Sequence, residues 1–392
     1  MASRRRTKRA PNYYANAMRN NNSPCVIDVF SGAGGLSLGA ARAGFNVIGA
    51  VDLDGHALDV HQNNFPGTAH INDDVSKLSG DVIKYLLECE DRELAGIIGG
   101  PPCQGFSAMG KNNSNDVRNH LFVDFFRIVM ESLPHFYMAE NVPGIMNEQN
   151  ECIRNEAFSL VANKYVILPP MKLSASSYGA PTTRTRVFFV GYRKDKVAKL
   201  TKEDFNPKAE MKTVKVGEAL QGLPIKIKPE WQEVDQGWRV VRDYEKSDYS
   251  SRLCGHVPPG VGDPQALKRL SQEGRISGCL GTRHSRKVEK RYASIEPGKC
   301  DPISKSHKLD PNGFCPTLRA GTGPERGSFQ AVRPLHPHQP RVITPREAAR
   351  LQGFPDWFQF SSDKWHSFRQ IGSSVCPLIA EHLLKVVRVA LT

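Results

Sequence analysis

From Val26 to about Tyr192, short apolar runs alternate with longer stretches of helical spacing. Val26-Ile27-Asp28-Val29-Phe30 reads as a strand. Ser31-Gly32-Ala33-Gly34-Gly35 is the turn after it, leading into a helix from Leu36 to Arg42. Val47-Ile48-Gly49-Ala50-Val51 is a second strand, ending at Asp52. Ala95-Gly96-Ile97-Ile98 and Phe136-Tyr137-Met138-Ala139 are later strands, each running into a polar or Gly-rich loop. Val187-Phe188-Phe189-Val190-Gly191-Tyr192 closes the series. Strands alternating with helices predict an α/β domain around a largely parallel sheet. In such sheets ligands sit beyond the carboxyl ends of the strands, and the chemically suggestive loops all occupy that position.

After about Lys196 the regular alternation fades and Pro, Gly, Lys and Arg become frequent. Residues 252–333 carry 15 Lys or Arg against 7 Asp or Glu, which predicts a smaller lobe with a basic face. Helical spacing returns at Thr344 through Arg346-Glu347-Ala348-Ala349-Arg350-Leu351. A final helix from Pro377 to about Leu391 has the apolar spacing to pack on a core. The expected organisation is a first domain built from 23–200 and 341–392, with the lobe 201–340 inserted. Residues 1–22, with Arg4-Arg5-Arg6-Thr7-Lys8-Arg9, are expected to form a disordered basic arm that brushes phosphates or serves as a localisation signal.

Composition narrows the partner. The 392 residues suffice for a sizeable core and two lobes, and 53 Lys plus Arg against 40 Asp plus Glu leave a net charge of +13. That balance suits a polyanion such as nucleic acid, although solvated charge alone would also account for it. The nine cysteines are scattered with no CxxC pair, which points to free thiols in a reducing compartment. The cysteines and histidines between Cys254 and Cys315 match no metal-binding spacing, so no metal is expected. No apolar run would span a bilayer, and no apolar signal region follows the basic N-terminus. The expectation is a cytoplasmic protein without a membrane partner, at the nucleoid in a prokaryote or in the nucleus of a eukaryote. A monomer is expected, since no dimerisation segment stands out.

Phe30-Ser31-Gly32-Ala33-Gly34-Gly35 follows a strand and opens a helix, where glycines let backbone approach a ligand. Asp52, at the end of the second strand, can accept hydrogen bonds from two ribose hydroxyls. Asp73-Asp74 follows the third likely strand, where an adenine amino group would lie. With no Lys or Arg in the first loop, these loops suggest a nucleoside cofactor without phosphates. In Gly99-Gly100-Pro101-Pro102-Cys103-Gln104-Gly105-Phe106-Ser107, Pro and Gly shape a loop around a thiol, a frame that a structural cysteine does not need. Taken singly, Cys103 reads more simply as a small buried hydrophobe, and Glu140 with Arg184 as an ion pair. Only the joint pattern carries chemistry.

FSGAGG, GGPPCQGFS, Glu140-Asn141-Val142, Arg184-Thr185-Arg186, Arg350-Leu351-Gln352-Gly353-Phe354-Pro355 and Gly372-Ser373-Ser374-Val375 occur in that order. The series closely resembles the DNA cytosine-5 methyltransferase family, across about Cys25–Tyr192 and Pro340–Thr392. The resemblance implies S-adenosylmethionine as cofactor, a Rossmann-like methyltransferase domain, and a smaller target-recognition domain between the arginine motif and RLQGFP. It implies that Phe30, Gly32, Gly34 and Gly35 line the cofactor and that Asp52 holds its ribose. Leu53 would cover one adenine face, Asp74 would meet the adenine amino group with Val75 beside it, and Pro101, Ser373, Ser374 and Val375 would complete the pocket.

Carbon 5 of cytosine is a poor nucleophile until another nucleophile adds to C6. The resemblance assigns that addition to Cys103 as a thiolate. Glu140, kept protonated in a dry site, would hydrogen-bond N3. Arg184 would balance O2 and orient the base, with Arg186 supporting the glutamate or its loop. The base must leave the duplex stack, and Met109 to Arg118, with Lys111 and Arg118, fits a loop that closes on it. Arg283, Arg286, Arg319 and Arg326 are candidate readers of phosphate or base. Three positions depart from the family pattern: Thr182 stands where Gln is usual, Ser373 where Asn is usual, and Cys376 where Pro is common. The expected function is a sequence-specific, stand-alone DNA methyltransferase similar to those of bacterial restriction–modification systems. An RNA (tRNA) cytosine methyltransferase and a catalytically silent nucleic-acid-binding homologue are the alternatives.

Overall fold

The strands Gly96–Gly99 and Phe136–Asn141 are buried at every position. Covered faces on both sides explain why they read as unbroken apolar runs rather than alternating ones. The computed structural model describes residues 23–102, 120–228, 237–241, 247–320 and 333–392, and the backbone of Thr7–Lys8. The expected basic arm therefore lies largely outside the described residues, as do Met109 to Arg118 and Arg326.

The strands are β1 (Thr7–Lys8), β2 (Cys25–Val29), β3 (Asn46–Asp52), β4 (Ala69–Asn72), β5 (Gly96–Gly99), β6 (Phe136–Asn141), β7 (Val166–Ile167), β8 (Met171–Ser174) and β9 (Thr185–Tyr192). They form one sheet in the order β1-β4-β3-β2-β5-β6-β9-β7, with β8 also on β9. The central run β4-β3-β2-β5-β6 is parallel. β9 pairs antiparallel with β6, and β7 and β8 antiparallel with β9. β9 runs against β6, β7 and β8, because the short connection 175–184 from β8 leaves no room for a crossover helix and the chain turns back on itself there. The chain runs outward from β2 through β3 to β4 on one side and returns to β5 on the other. The carboxyl ends of β2 and β5 are thus a switch point, the place where such sheets bind ligands.

Helices α1 (Gly35–Arg42), α2 (Gly55–Asn64), α3 (Gly80–Leu86), α4 (His120–Ser132) and α5 (Glu151–Val161) cover the sheet. One face packs Leu36, Leu38 and Ala40 of α1 against Leu378, Leu383 and Leu384 of the last helix, Pro377–Ala390. The other packs Phe122, Phe125 and Phe126 of α4 against Ile27, Val29 and Ile97. Gly39 lets the last helix lie close, because a Cβ there would fall 2.3 Å from Ala380 Cβ. No helix among the described residues is long and apolar enough to cross a membrane.

The segment 201–340 is less separate than its composition predicts. Phe205, Val216, Ala219, Tyr249, Leu253, Leu309 and Cys315 all join the main core. Among the described residues, Leu223, Ile276 and Cys279 form a small cluster of their own, next to a two-strand ladder of Arg239–Val240 with Arg275–Ile276. RLQGFP is part of the seam. Arg350 is fully buried, paired with Asp356, and donates to the carbonyls of Ala219 and Gln221.

Candidate active site

The first loop is shaped by its backbone. Phe30 has φ 70°, a left-handed conformation rare for a bulky side chain, and the N–H groups of Phe30 and Ser31 both donate to Val51 O. Gly34, at φ 100°, is the cap before α1, and a Cβ there would lie 2.5 Å from the Phe65 ring. Gly35 faces the far end of the chain, since its Cβ would fall 2.3 Å from Val375 O. The first glycine loop and Ser374-Val375 are therefore in contact, although more than 300 residues separate them in the sequence.

Asp52 braces this loop. Its Oδ2 accepts from Gly32 N at 2.7 Å and its Oδ1 from Asp54 N at 2.8 Å. Burial pushes its carboxyl above the ordinary value, against the pull of those two donors. Leu53 beside it is an apolar side chain left 69% exposed. Asp74 caps a short turn: its Oδ1 accepts from Ser76 N and Oγ, and Lys77 lies 3.6 Å from Oδ2. Slight burial opposes its charge, but Ser76 and Lys77 outweigh that and hold the carboxyl below its usual range. Val75 is buried beneath it. The loop carries no cationic side chain, and its donors are backbone N–H groups around one carboxylate. That set fits a nucleoside cofactor with a ribose and no phosphate.

Glu140 is the penultimate residue of β6 and buried, with Arg186 Nε 2.8 Å from its Oε1. Gly100 lies against the same carboxylate; a Cβ there would come within 3.2 Å of Oε2. Asn141 Nδ2 donates to Pro101 O at 3.3 Å. The glutamate is thereby fixed against the Gly-Pro loop that runs into Cys103. Cys103 itself lies outside the described residues, and Pro101 is buried at the near edge of that loop.

Arg184 departs from its expected place. Its side chain is buried, and its guanidinium donates to Leu318 O at 3.2 Å, Gly372 O at 2.8 Å and Ser373 O at 3.2 Å. These nitrogens serve backbone carbonyls rather than a base, because the returning chain places carbonyls in front of them. Arg186, not Arg184, is the arginine against Glu140. Thr182 is buried, accepts from Arg184 N at 3.3 Å and bridges to Cys315, so this departure sits in a backbone seam. Ser373 is exposed and donates to Gln370 O, Ser374 is buried with the same acceptor, and Gln352 Nε2 donates to Ser374 O. Of the basic candidates in the lobe, Arg283, Arg286 and Arg319 are exposed.

The sequence reading missed Asn141 as the tie to the cysteine loop. Its place in Glu-Asn-Val was visible, but the contact joins residues 40 apart. It also missed the buried partners Ser37, His61 and His70 behind the glycine loop, whose spacing carries no local signal.

The arrangement of glycine loop, acidic strand end, glutamate–arginine pair and returning C-terminal segment matches a known family. Residues 25–388 fit the model for the C-5 cytosine-specific DNA methylases. The chain belongs to that family. It is 39% identical over 368 residues to the Type II methyltransferase M.XorII of Xanthomonas oryzae pv. oryzae, covering 91% of this chain and 82% of that protein. The crystal structure of a putative prophage-encoded DNA modification methyltransferase from E. coli shares 51% identity over 94% of this chain and 99% of that one, with a TM-score of 0.85. The Dnmt2 methyltransferase of S. pombe has the same fold at 16% identity and a TM-score of 0.60, over 93% of this chain and 98% of its own. As a C-5 cytosine DNA methyltransferase, the protein carries the family's order of motifs from end to end, and its α/β fold is that of the methyltransferases.

Proposed function

We propose that this cytosine-5 DNA methyltransferase is a stand-alone, monomeric, cytoplasmic Type II modification enzyme. It uses S-adenosylmethionine to methylate a cytosine flipped from duplex DNA within a short recognition sequence. The carrying observation is the Arg186–Glu140 pair at 2.8 Å, held against the loop before Cys103.

When bound, the cofactor supplies an electrophilic methyl group on a sulfonium sulfur. Phe30, Gly32, Gly34 and Gly35 would hold it from one side, and Ser373, Ser374 and Val375 from the other. Asp52 would take the ribose, Leu53 would cover an adenine face, and Asp74 with Val75 would border the ring. Cys103, as a thiolate, forms a bond to C6, and the displaced electron pair moves toward N3 and O2. Glu140 meets N3, and Arg186 steadies Glu140 while offering Nη2 toward O2. C5 would then take the methyl group, whose bond to the sulfonium sulfur breaks to leave a neutral thioether; the C5 proton leaves to a base, its electron pair re-forms the C5–C6 double bond, and the bond between Cys103 and C6 breaks to free the thiolate. Arg184 positions the site by joining the arginine motif to the C-terminal segment. The segment 201–340 reads the target, with Arg283, Arg286 and Arg319 contacting phosphate.

The test is incubation with S-adenosylmethionine and mixed-sequence duplex DNA, followed by mapping of 5-methylcytosine at base resolution. Methylation at one short motif, lost in Cys103→Ser, is the expected result. Methylation of structured RNA instead of DNA, or undiminished activity in Cys103→Ser, overturns the proposal.

A further inference from the structure

Behind the glycine loop runs a chain of polar side chains that methyl transfer itself does not use. Asp28 on β2, Ser37 on α1, His61 on α2 and His70 on β4 are all buried, with His70 the most exposed at 2%. Ser37 Oγ lies 2.5 Å from Asp28 Oδ2, His61 Nε2 3.0 Å from Ser37 Oγ, and His70 Nε2 2.9 Å from His61 Nδ1. A hydroxyl and an imidazole each donate and accept, so the chain can be satisfied in two directions.

In one direction His70 Nε2–H donates to His61, His61 Nε2–H donates to Ser37, and Ser37 donates to an ionised Asp28. In the other, a protonated Asp28 donates to Ser37, Ser37 donates to His61 Nε2, and His61 Nδ1–H donates to His70, which carries its own proton on Nδ1. Moving every proton one place along converts the second arrangement into the first. One proton then leaves from His70 Nδ1, and both imidazoles change tautomer.

The chain abuts the cofactor loop twice. A Cβ on Gly34 would lie 3.0 Å from His61 Cδ2, and Asp28 shares its surroundings with Asp52, the carboxylate that holds Gly32 N. Burial, opposed by the Ser37 hydrogen bond and reinforced by Asp52, pushes Asp28 up to about 7. Burial and His70 keep His61 neutral. Of the other elements packed here, β5 places Ile98 in register with Asp28, and β1 places Lys8 in register with His70. Among the described residues, Asp52 is therefore the titratable group outside the chain that acts on it.

We propose that this chain is a proton relay that sets the charge beneath the cofactor loop. Filling the pocket with a sulfonium cofactor draws Asp28 into its ionised form and expels a proton through His70, whereas the uncharged thioether product does not. Ser37, His61 and His70 are then positioning residues that help the enzyme distinguish fresh cofactor from spent product. The inference rests on the cofactor reading above. A ligand that binds one arrangement better shifts the balance by its differential affinity. One added charge near a low-dielectric site is sufficient for about tenfold discrimination.

The test is calorimetric titration with S-adenosylmethionine and with S-adenosylhomocysteine at pH 7, in buffers of different ionisation enthalpy, alongside imidazole nitrogen NMR. Proton release is expected with the sulfonium and not with the thioether. Both histidines should move together from Nδ1–H to Nε2–H. His61→Gln, which keeps a donor and an acceptor but cannot relay, should abolish the release and narrow the affinity ratio about tenfold. Ser37→Ala should do the same. Equal release with both ligands, or release unchanged in either variant, overturns the relay. Failure of the wild-type protein to bind the sulfonium rejects the cofactor reading instead. The free protein then still decides the relay, which requires the two tautomers to switch together between pH 6 and 8; fixed tautomers overturn it.

Discussion

Arg184 and Gly372 lie 188 residues apart in the chain and meet across a guanidinium–carbonyl hydrogen bond of 2.8 Å. Leu318 and Ser373 present carbonyls to the same guanidinium, so one side chain ties the arginine motif, the end of the inserted segment and the C-terminal segment together. The contact is possible because Gly372 has no side chain: a Cβ there would lie 2.5 Å from the Arg319 carbonyl carbon.

Removing that clamp leaves buried acceptors without donors, at about 1–3 kcal/mol each. Arg184→Met is expected to lower unfolding stability by about 3 kcal/mol or more and to weaken cofactor binding. Urea denaturation and equilibrium cofactor titration measure the two effects. Unchanged values for both would remove Arg184 from the positioning role.

Glu140→Gln and Arg186→Lys separate chemistry from folding. Glutamine cannot give a proton to N3, and the expected loss in turnover is roughly 10²–10⁴-fold, the usual range for a general acid or base. Lysine keeps the charge of Arg186 but loses its planar fork, and turnover should fall less. Single-turnover methylation at saturating DNA, with Tm measured in parallel, checks the pair. A drop in Tm that accounts for the lost activity would make the ion pair merely structural.

Gly35→Ala tests the meeting of the two chain ends. Its Cβ would press on Val375 O, 2.3 Å away, and backbone cannot swing aside as a side chain can. Overpacking of this kind costs about 1–3 kcal/mol. Cofactor affinity should fall by at least tenfold while binding to DNA is preserved, as read by parallel titrations.

Stability should respond to pH through two opposing groups. Burial lowers His336 to about 4, partly offset by Glu347. A depressed histidine contributes stability that is full above its unfolded value of about 6.5 and is lost as pH falls toward 4, on the order of 3 kcal/mol. Asp28 acts the other way. Raised to about 7, it contributes stability that is present below the ordinary carboxylate value and lost as pH rises through 7. Asp28→Asn should leave stability rising more steeply from pH 4 to 7, and His336→Gln should flatten or reverse that rise. Denaturation midpoints across that range would show the two slopes; identical profiles in both variants would contradict the assignment.

The first strand and its loop were legible because local pattern and local conformation agree there. Residues 26–30 are predicted as a strand, and Cys25–Val29 forms one; the helix predicted from Leu36 begins at Gly35. The reversal of β9 was harder to see. Val187 to Tyr192 is apolar throughout, and direction leaves no mark on such a run. Arg184 and Arg186 were both legible as candidates, and the resemblance already set Arg186 beside the glutamate or its loop; that Arg184 meets the carbonyls of Leu318, Gly372 and Ser373 was not legible, because those partners lie more than 130 residues along the chain.

The order of motifs, the α/β alternation, the basic charge and the membership in a methyltransferase family are properties of the sequence, because each rests on residue type and short-range spacing. Tertiary structure alone decided that Arg184 clamps three distant carbonyls, why Gly35 and Gly372 cannot carry a side chain, and how Asp28 comes to share a hydrogen-bonded chain with His70. Those depend on contacts between segments far apart in the chain. Their energies come from desolvation and close packing, which a linear string does not contain.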